Sequence, residues 1–180
     1  LKFEKINKRF EGVIALQDVD LTINKGEIVC LLGENGSGKS TMIKIISGVY
    51  SFDSGTATIN GKEYKHITPL DSIHEGIAVI YQDFSLFNEL SVAENIAMTE
   101  IVLEGDKRMD WKKVERIAKE KLKKLGVNFP LYESVGKFSA ADRQLIAIAK
   151  VLLENTKLII MDEPTTALSR KEIEALCETI

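Results

Sequence analysis

The chain has 180 residues, 44% of them apolar and 28% charged, with a formal net charge of −3. Those values fit one ordinary globular domain with room for a subdomain, and they exclude a disordered or collagen-like chain. No basic excess points to nucleic acid, and the longest apolar runs fall far short of the roughly 20 residues of a membrane span.

In chain order, Leu1–Ile6 (LKFEKI) and Val19–Ile23 (VDLTI) alternate apolar and polar residues, which predicts half-buried antiparallel strands. KRFEG, 8–12, is predicted as a turn that leaves Phe10 at its edge, and Asn24–Gly26 as another. Ile28–Leu32 (IVCLL) is continuously apolar, the pattern of a central strand covered on both faces. Then comes Gly33-Glu34-Asn35-Gly36-Ser37-Gly38-Lys39-Ser40-Thr41. Gly33, Gly38, Lys39 and Ser40 fit G-x-x-x-x-G-K-[ST], the phosphate-binding loop. Polyphosphate needs many donors in little space. Glycines let the backbone come close, successive amides form an anion nest, and the following helix adds its unpaired N–H groups. Lys39 can reach the outer phosphates, and the Ser40 hydroxyl can ligate Mg²⁺. Met42, Ile45 and Ile46 give that helix an apolar side, and Gly48 ends it.

Ser54-Gly55 and Asn60-Gly61 are turn dipeptides around a short strand, Thr56–Ile59. Thr68-Pro69-x-Asp71 is a helix start, and that helix stops at Gly76. Ile77–Tyr81 is a second apolar strand, ending at Gln82. From 83 to 137 the pattern is mainly helical. Ser91-x-x-Glu94 is a capping box, and Asp110 caps a longer helix with Trp111, Val114, Ile117, Leu122 and Leu125 on one side. The lysines between Lys112 and Lys124 are expected on its solvated face, and Gly126 is its stop. Ser139-x-x-Asp142 opens a helix with Leu145, Ile148, Ala149 and Leu152 along one face. Lys157–Met161 is a third buried strand, followed by Asp162-Glu163-Pro164. Ser169-x-x-Glu172 opens a last helix bearing Ile173, Leu176, Cys177 and Ile180. Cys30 and Cys177 are spaced for neither a metal site nor a redox pair, and as buried free thiols they fit a reducing cytosol. No signal peptide opens at Leu1. The chain begins without Met and ends inside a helical pattern, as a fragment would.

Two further strand ends carry candidate chemistry. Asp162, after an apolar strand, can hold a Mg²⁺ coordination shell directly or through water. Glu163 is a second carboxylate beside it and could polarise an attacking water as general base, a role worth about 10²–10⁴ in rate. Gln82 ends another apolar strand, where side chains line the ligand crevice of open α/β sheets, and its amide oxygen could touch Mg²⁺ or the water.

Together these segments resemble the nucleotide-binding subunit of ABC transporters, in order from Phe10 to Ser169. Phe10 stands where that family keeps an aromatic that stacks on adenine. GENGSGKST, 33–41, matches its Walker A loop, and Gln82 in VIYQD its Q-loop. KFSAADRQ, 137–144, sits at the signature, LIIMDEP at the Walker B segment with its catalytic glutamate Glu163, and TTALS, 165–169, at the D-loop. GIAVIYQDFSLFNELSVAENIAM and IMDEPTTALSRKEIEAL are most similar to the first half of tandem ATPases of simple-sugar importers, the ribose and galactose type.

The resemblance implies an α/β fold: a P-loop NTPase (RecA-like) core with a parallel sheet, an N-terminal antiparallel β subdomain and an inserted α-helical subdomain. Residues 1–180 would form one ABC ATPase domain, incomplete at its C-terminus. Residues 1–82 and 155–180 would form the core with the β subdomain, and 83–154 the helical subdomain with the signature helix. It implies ATP and Mg²⁺, with Glu163, Gln82 and Lys39 as the catalytic set. Phe10, residues 33–41 and Ser139 would bind nucleotide, and Ser40, Gln82 and Asp162 the metal. Implied partners are a second nucleotide-binding domain, transmembrane permease subunits and, indirectly, a solute-binding protein, with no nucleic acid. The implied place is the cytoplasmic face of the cell membrane.

Two departures stand out. Ser139 of the signature is present, but both glycines are alanine (Ala140 and Ala141) and Asp142 replaces the glutamine. Asp142 is unfavourable toward an anion if it points inward; as a capping acid it would fold back to the Ser139 amide. The composite site using this signature is expected to be the weaker of a pair. The family's switch histidine lies on a strand beyond the last helix, which the chain is expected to stop short of; His66 and His74 lie far upstream, and the fragment alone is expected to turn over ATP poorly. Two other functions stay open. One is a soluble ABC ATPase of DNA repair or translation, against which stand the short helices between the Walker motifs and the net charge. The other is a catalytically silent regulatory module, against which stands Glu163.

Overall fold

Alternation in the first 22 residues builds a long hairpin. β1 (Lys2–Phe10) and β2 (Val13–Thr22) run antiparallel around a turn at Glu11 and Gly12. Both strands are longer than the apolar alternation predicts, so Lys8, Arg9 and Phe10 belong to β1 and not to a turn. Register shifts interrupt the ladder, and Lys5 and Asp18 take positive φ there. Side chains satisfy the backbone amides freed by these shifts: Asp20 accepts from the Lys5 amide at 2.7 Å and Asn7 from the Asp18 amide at 3.1 Å.

The computed structural model describes residues 1–81, 85–105, 109–152 and 155–162. Contacts divide the chain into two units, Leu1–Ala78 and Val79–Ile180. In the first, α1 (Lys39–Ile46) follows the glycine-rich loop, β3 (Ser54–Ile59) and β4 (Lys62–Tyr64) form a second hairpin at Asn60-Gly61, and α2 (Pro69–His74) follows. The sheet order is β2-β1-β3-β4, all neighbours antiparallel. Phe3, Ile6, Leu16, Ala57 and Ile59 of the sheet are buried, as are Met42, Ile43, Ile45 and Ile46 of α1. α2 begins at the predicted start, where Thr68 and Asp71 form a capping box and a proline sits in the first turn. Ser72 on α2 donates to the Ile46 carbonyl at 3.1 Å, which ties the two helices. Gly48 must be glycine at their junction: its φ is +76°, and a Cβ there would lie 2.3 Å from the Thr68 carbonyl carbon.

The second unit is a helical cluster with a short sheet. β5 (Ile77–Ile80), at the boundary, neighbours β6 (Leu158–Met161), and the Asp162 amide donates to the Ile80 carbonyl at 3.0 Å. α3 (Val92–Glu104), α4 (Trp111–Lys124) and α5 (Ala140–Val151) share one core, with Val92, Ile96, Val114, Ile117, Leu122, Ile146 and Ile148 buried. The Ser91–Glu94 box and the Asp110 cap form as predicted. The buried face of α5 is broader than predicted and includes Ile146 and Ala147, while Leu145 is only half-buried. Trp111 is exposed, because it sits in the first turn of α4, beyond the facing helices.

One predicted strand is not formed. Ile28–Leu32 is not paired with any strand among the described residues, and Ile28 is 98% exposed. Cys30, expected in a buried strand, is exposed as well. β-branched residues do not make a strand on their own; a ladder partner and covered faces do, and neither is present here. The expectations for the last helix and Cys177 fall outside the described residues.

Candidate functional site

In the first unit, the loop Gly33–Gly38 and the first turn of α1 form the candidate phosphate site. Gly36 and Gly38 take φ of +84° and +93°, which turns the chain sharply into the helix. A Cβ on Gly38 would lie 2.6 Å from the Ala15 carbonyl, so the loop end rests directly on β2. Lys39 donates to the Gly33 and Glu34 carbonyls at 2.7 and 2.8 Å, closing the loop into a ring, and the Ser37 amide bonds Glu34 inside it. Ser40 is exposed at the second helical position, with Thr41 next to it.

The end of α1 differs from the other four described α-helices. α2, α3, α4 and α5 begin with side-chain caps from Thr68, Ser91, Asp110 and Ser139. α1 begins at Gly38 with no side-chain cap and no acid in its first turn. Its first amides and positive end are therefore left for an outside anion, which is the chemistry of a phosphate site.

Phe10 closes β1 at the hairpin end, beside Tyr50: the ring centroids are 5.3 Å apart at 66°. Phe10 is 40% exposed, enough for a flat ring to lie on it.

In the second unit, Asp162 directly follows β6, its amide fixed to Ile80. Ser139 is the N-cap of α5. Its hydroxyl accepts from the Asp142 amide at 3.2 Å and donates to the Asp142 carboxylate at 2.7 Å. Asp142 thus engages the Ser139 hydroxyl, where the sequence pointed to the Ser139 amide. Gln82 and Glu163 lie outside the described residues.

Two buried polar residues that organise the helical cluster escaped the sequence pattern. Asn95 on α3 is fully buried, and its amide bonds the Phe87, Leu90 and Ser91 carbonyls at 3.0–3.3 Å while accepting from the Phe87 amide at 2.8 Å. It fixes the segment 87–91, which is also laced to the lead-in of the signature: the Gly136 amide and the Ser134 hydroxyl both donate to the Asn88 carbonyl, at 2.9 and 2.6 Å. A polar residue amid the apolar positions of VAENIAM was its signal. The other is Lys121, expected on a solvated face but only 4% exposed. It pairs with Glu100 on α3 at 2.8 Å and points at the Ile96 and Lys150 carbonyls, so it joins three helices. Burial pushes its pKa below the ordinary lysine value, against the pull of Glu100.

Residues 16–166 match the family model described as ABC transporter. The chain belongs to the ABC transporter family. It is 44% identical over 178 residues to the ribose import ATP-binding protein RbsA of Halalkalibacterium halodurans, an alignment covering 97% of this chain and 35% of that protein. It is 40% identical over 180 residues to the arabinose import ATP-binding protein AraG of Vibrio parahaemolyticus, covering 100% of this chain and 35% of that one. The chain therefore spans about a third of the length of these curated relatives. Among solved structures, the dimeric ATP-binding cassette MJ0796, in a post-hydrolysis state with ADP and Pi, aligns with a TM-score of 0.84 at 27% identity, covering 99% of this chain and 80% of that one. The ADP form of MJ1267, an ATP-binding cassette of an ABC transporter, gives 0.80 at 28% identity, covering 99% and 74%. The fold is that of an α/β P-loop NTPase, an antiparallel N-terminal sheet combined with a parallel sheet, and family membership makes this a nucleotide-binding chain. Among the described residues, no helix is long and apolar enough to cross a membrane.

Proposed function

We propose that this chain is the first nucleotide-binding domain of an ATP-hydrolysing subunit that drives import of a simple sugar. The observation that carries the reading is the uncapped N-terminus of α1 behind a loop closed by Lys39, within a family whose similar members are named as ribose and arabinose import ATP-binding proteins. The loop amides and Lys39 would hold the nucleotide phosphates, and Phe10 would stack on adenine. Glu163 would polarise the attacking water, with Gln82 beside it.

Mg²⁺ suits this donor set. The described residues contain no group of three or more His, Cys, Asp or Glu that could hold a metal. A hydroxyl, an amide oxygen and a carboxylate from Ser40, Gln82 and Asp162 are the few hard oxygens Mg²⁺ takes from protein when phosphates and water complete its shell. When bound it would neutralise charge developing on the phosphoryl oxygens.

The working unit we propose has two nucleotide-binding domains closing on ATP, peripheral to permease subunits at the cytoplasmic face of the membrane. Residues 83–154 would act as the helical subdomain, and 1–82 with 155–180 as the core. Ser139 would face the nucleotide of the opposite domain. The test is ATP turnover by the intact protein, native against Glu163→Gln. We expect loss of turnover with ATP binding retained; unchanged turnover would remove Glu163 from the base role.

A further inference from the structure

Phe10 is held by a structure of its own. The segment between α1 and β3, Val49–Asp53, folds against the end of β1 through three anchors. The Tyr50 amide donates to the Lys44 carbonyl of α1 at 3.0 Å, and Phe52 is buried. Asp53 is bonded to three successive residues of β1: its amide donates to the Asn7 carbonyl at 2.8 Å, and its carboxylate accepts from Lys8 Nζ at 2.9 Å and from the Arg9 amide at 2.6 Å. Those contacts, Lys8 first, hold the Asp53 carboxyl below the usual carboxylate range. The result is that Tyr50 meets Phe10 edge to face, the geometry favoured by aromatic quadrupoles. Lys8 Nζ lies 5.4 Å from the Phe10 ring centre and Lys44 Nζ 5.2 Å from that of Tyr50. With Lys8 over one face and Tyr50 at the ring, the remaining exposed face of Phe10 is the surface a heterocycle can cover.

The same hairpin meets the phosphate loop. Lys8 pairs across the ladder with Leu16, and Leu16 Cδ2 would lie 2.7 Å from a Cβ on Gly38. Phe10 is two residues beyond Lys8, about 7 Å along a strand that rises ~3.4 Å per residue. Aromatic ring and phosphate loop thus both rest on one hairpin.

We propose that the base of the nucleotide is selected by a two-ring platform, Phe10 backed by Tyr50, and that Asp53 is the positioning residue that clasps this platform to β1. The inference rests on the proposed nucleotide site and adds to it: Tyr50 and Asp53 set affinity for the base, not for the phosphates.

The experiment measures binding of Mg·ATP and of Mg·tripolyphosphate, which has no base, to the intact protein by calorimetry. Variants are Phe10→Leu, Tyr50→Leu, Tyr50→Phe and Asp53→Asn. The expected result for Tyr50→Leu is ATP binding weaker by about three- to tenfold with tripolyphosphate unchanged, the worth of one aromatic pair. Tyr50→Phe should restore ATP affinity, and Asp53→Asn should weaken ATP alone, by less than Tyr50→Leu. Equal loss of both ligands in Tyr50→Leu would mean a general structural role and overturn the proposal. ATP affinity lowered by Phe10→Leu but not by Tyr50→Leu overturns it while leaving base stacking on Phe10 intact. No change in either variant removes base stacking on Phe10 as well.

Discussion

Lys39 turns its ammonium back onto the loop that leads to it, 2.7 Å from the carbonyl of Gly33. With the Glu34 carbonyl at 2.8 Å, this ties the start of the loop back to the side chain that follows its end. The same ammonium can turn these donors to phosphate oxygens without moving the backbone. Charge-assisted bonds of this kind are worth ~1.5–3 kcal/mol. Lys39→Ala is therefore expected to weaken ATP binding by roughly ten- to a hundredfold, measured by titration calorimetry. Unaltered affinity would rule out the phosphate-loop assignment.

Gly38 combines a φ of +93° with a would-be Cβ 2.6 Å from the Ala15 carbonyl. Strain from the left-handed backbone is of order 1–3 kcal/mol, and the clash with backbone adds to it. Gly38→Ala should lower unfolding stability by at least about 2 kcal/mol and disturb the β2 contact. Chemical denaturation gives the first quantity. Faster amide exchange at Ala15 and Leu16 gives the second.

The Ser139 hydroxyl is engaged with Asp142, so α5 supplies its own anion where a capping acid is favourable. Any phosphate at that helix end must compete with this carboxylate. Asp142→Asn should cost about 0.5 kcal/mol of stability, since charge near a helix N-terminus is worth ~0.3–1 kcal/mol. In the intact protein the same change should raise ATP turnover. A fall in turnover would show that Asp142 supports the composite site.

The Glu100–Lys121 pair sets an alkaline signature. Lys121 has a folded pKa depressed first by burial. Between that value and the unfolded value near ~10.4, the unfolded chain binds more protons, so stability should rise with pH. The double change Lys121→Met with Glu100→Leu should abolish that rise and change stability little, because a buried ion pair replaced as a whole by apolar chains is often neutral. Glu100→Ala should cost about 3 kcal/mol by leaving the ammonium buried without its partner. Denaturation midpoints across pH 8–11 would test all three statements.

Sequence pattern revealed the parts of this fold whose cause is local. Thr68, Ser91, Asp110 and Ser139 announce helix starts because their side chains bond amides two or three residues on. The loop at Gly33–Thr41 is legible for the same reason, since its chemistry lies in nine consecutive residues. What escaped depends on partners distant in sequence. Lys121 looks like a surface residue until Glu100 and the Lys150 carbonyl are brought to it. Asn95 matters through four bonds to the segment before its helix. Tyr50 gains its place from Asp53 and a strand 40 residues upstream in the chain, Lys2–Phe10. Ile28–Leu32 is the converse: its apolar run promises burial, but a strand is made by its neighbours, and no described strand lies alongside it.

The missing cap on α1 has a further result for how long the protein lasts in a cell. A helix end completed by a ligand is firmer when the ligand is plentiful. Binding to the native state alone adds RT ln(1 + [L]/Kd), about 2.7 kcal/mol at a hundredfold excess over Kd. Proteolysis of locally opened chains follows that free energy. The turnover of this polypeptide is therefore expected to follow the nucleotide pool, with depletion of the pool shortening its lifetime before any change in synthesis.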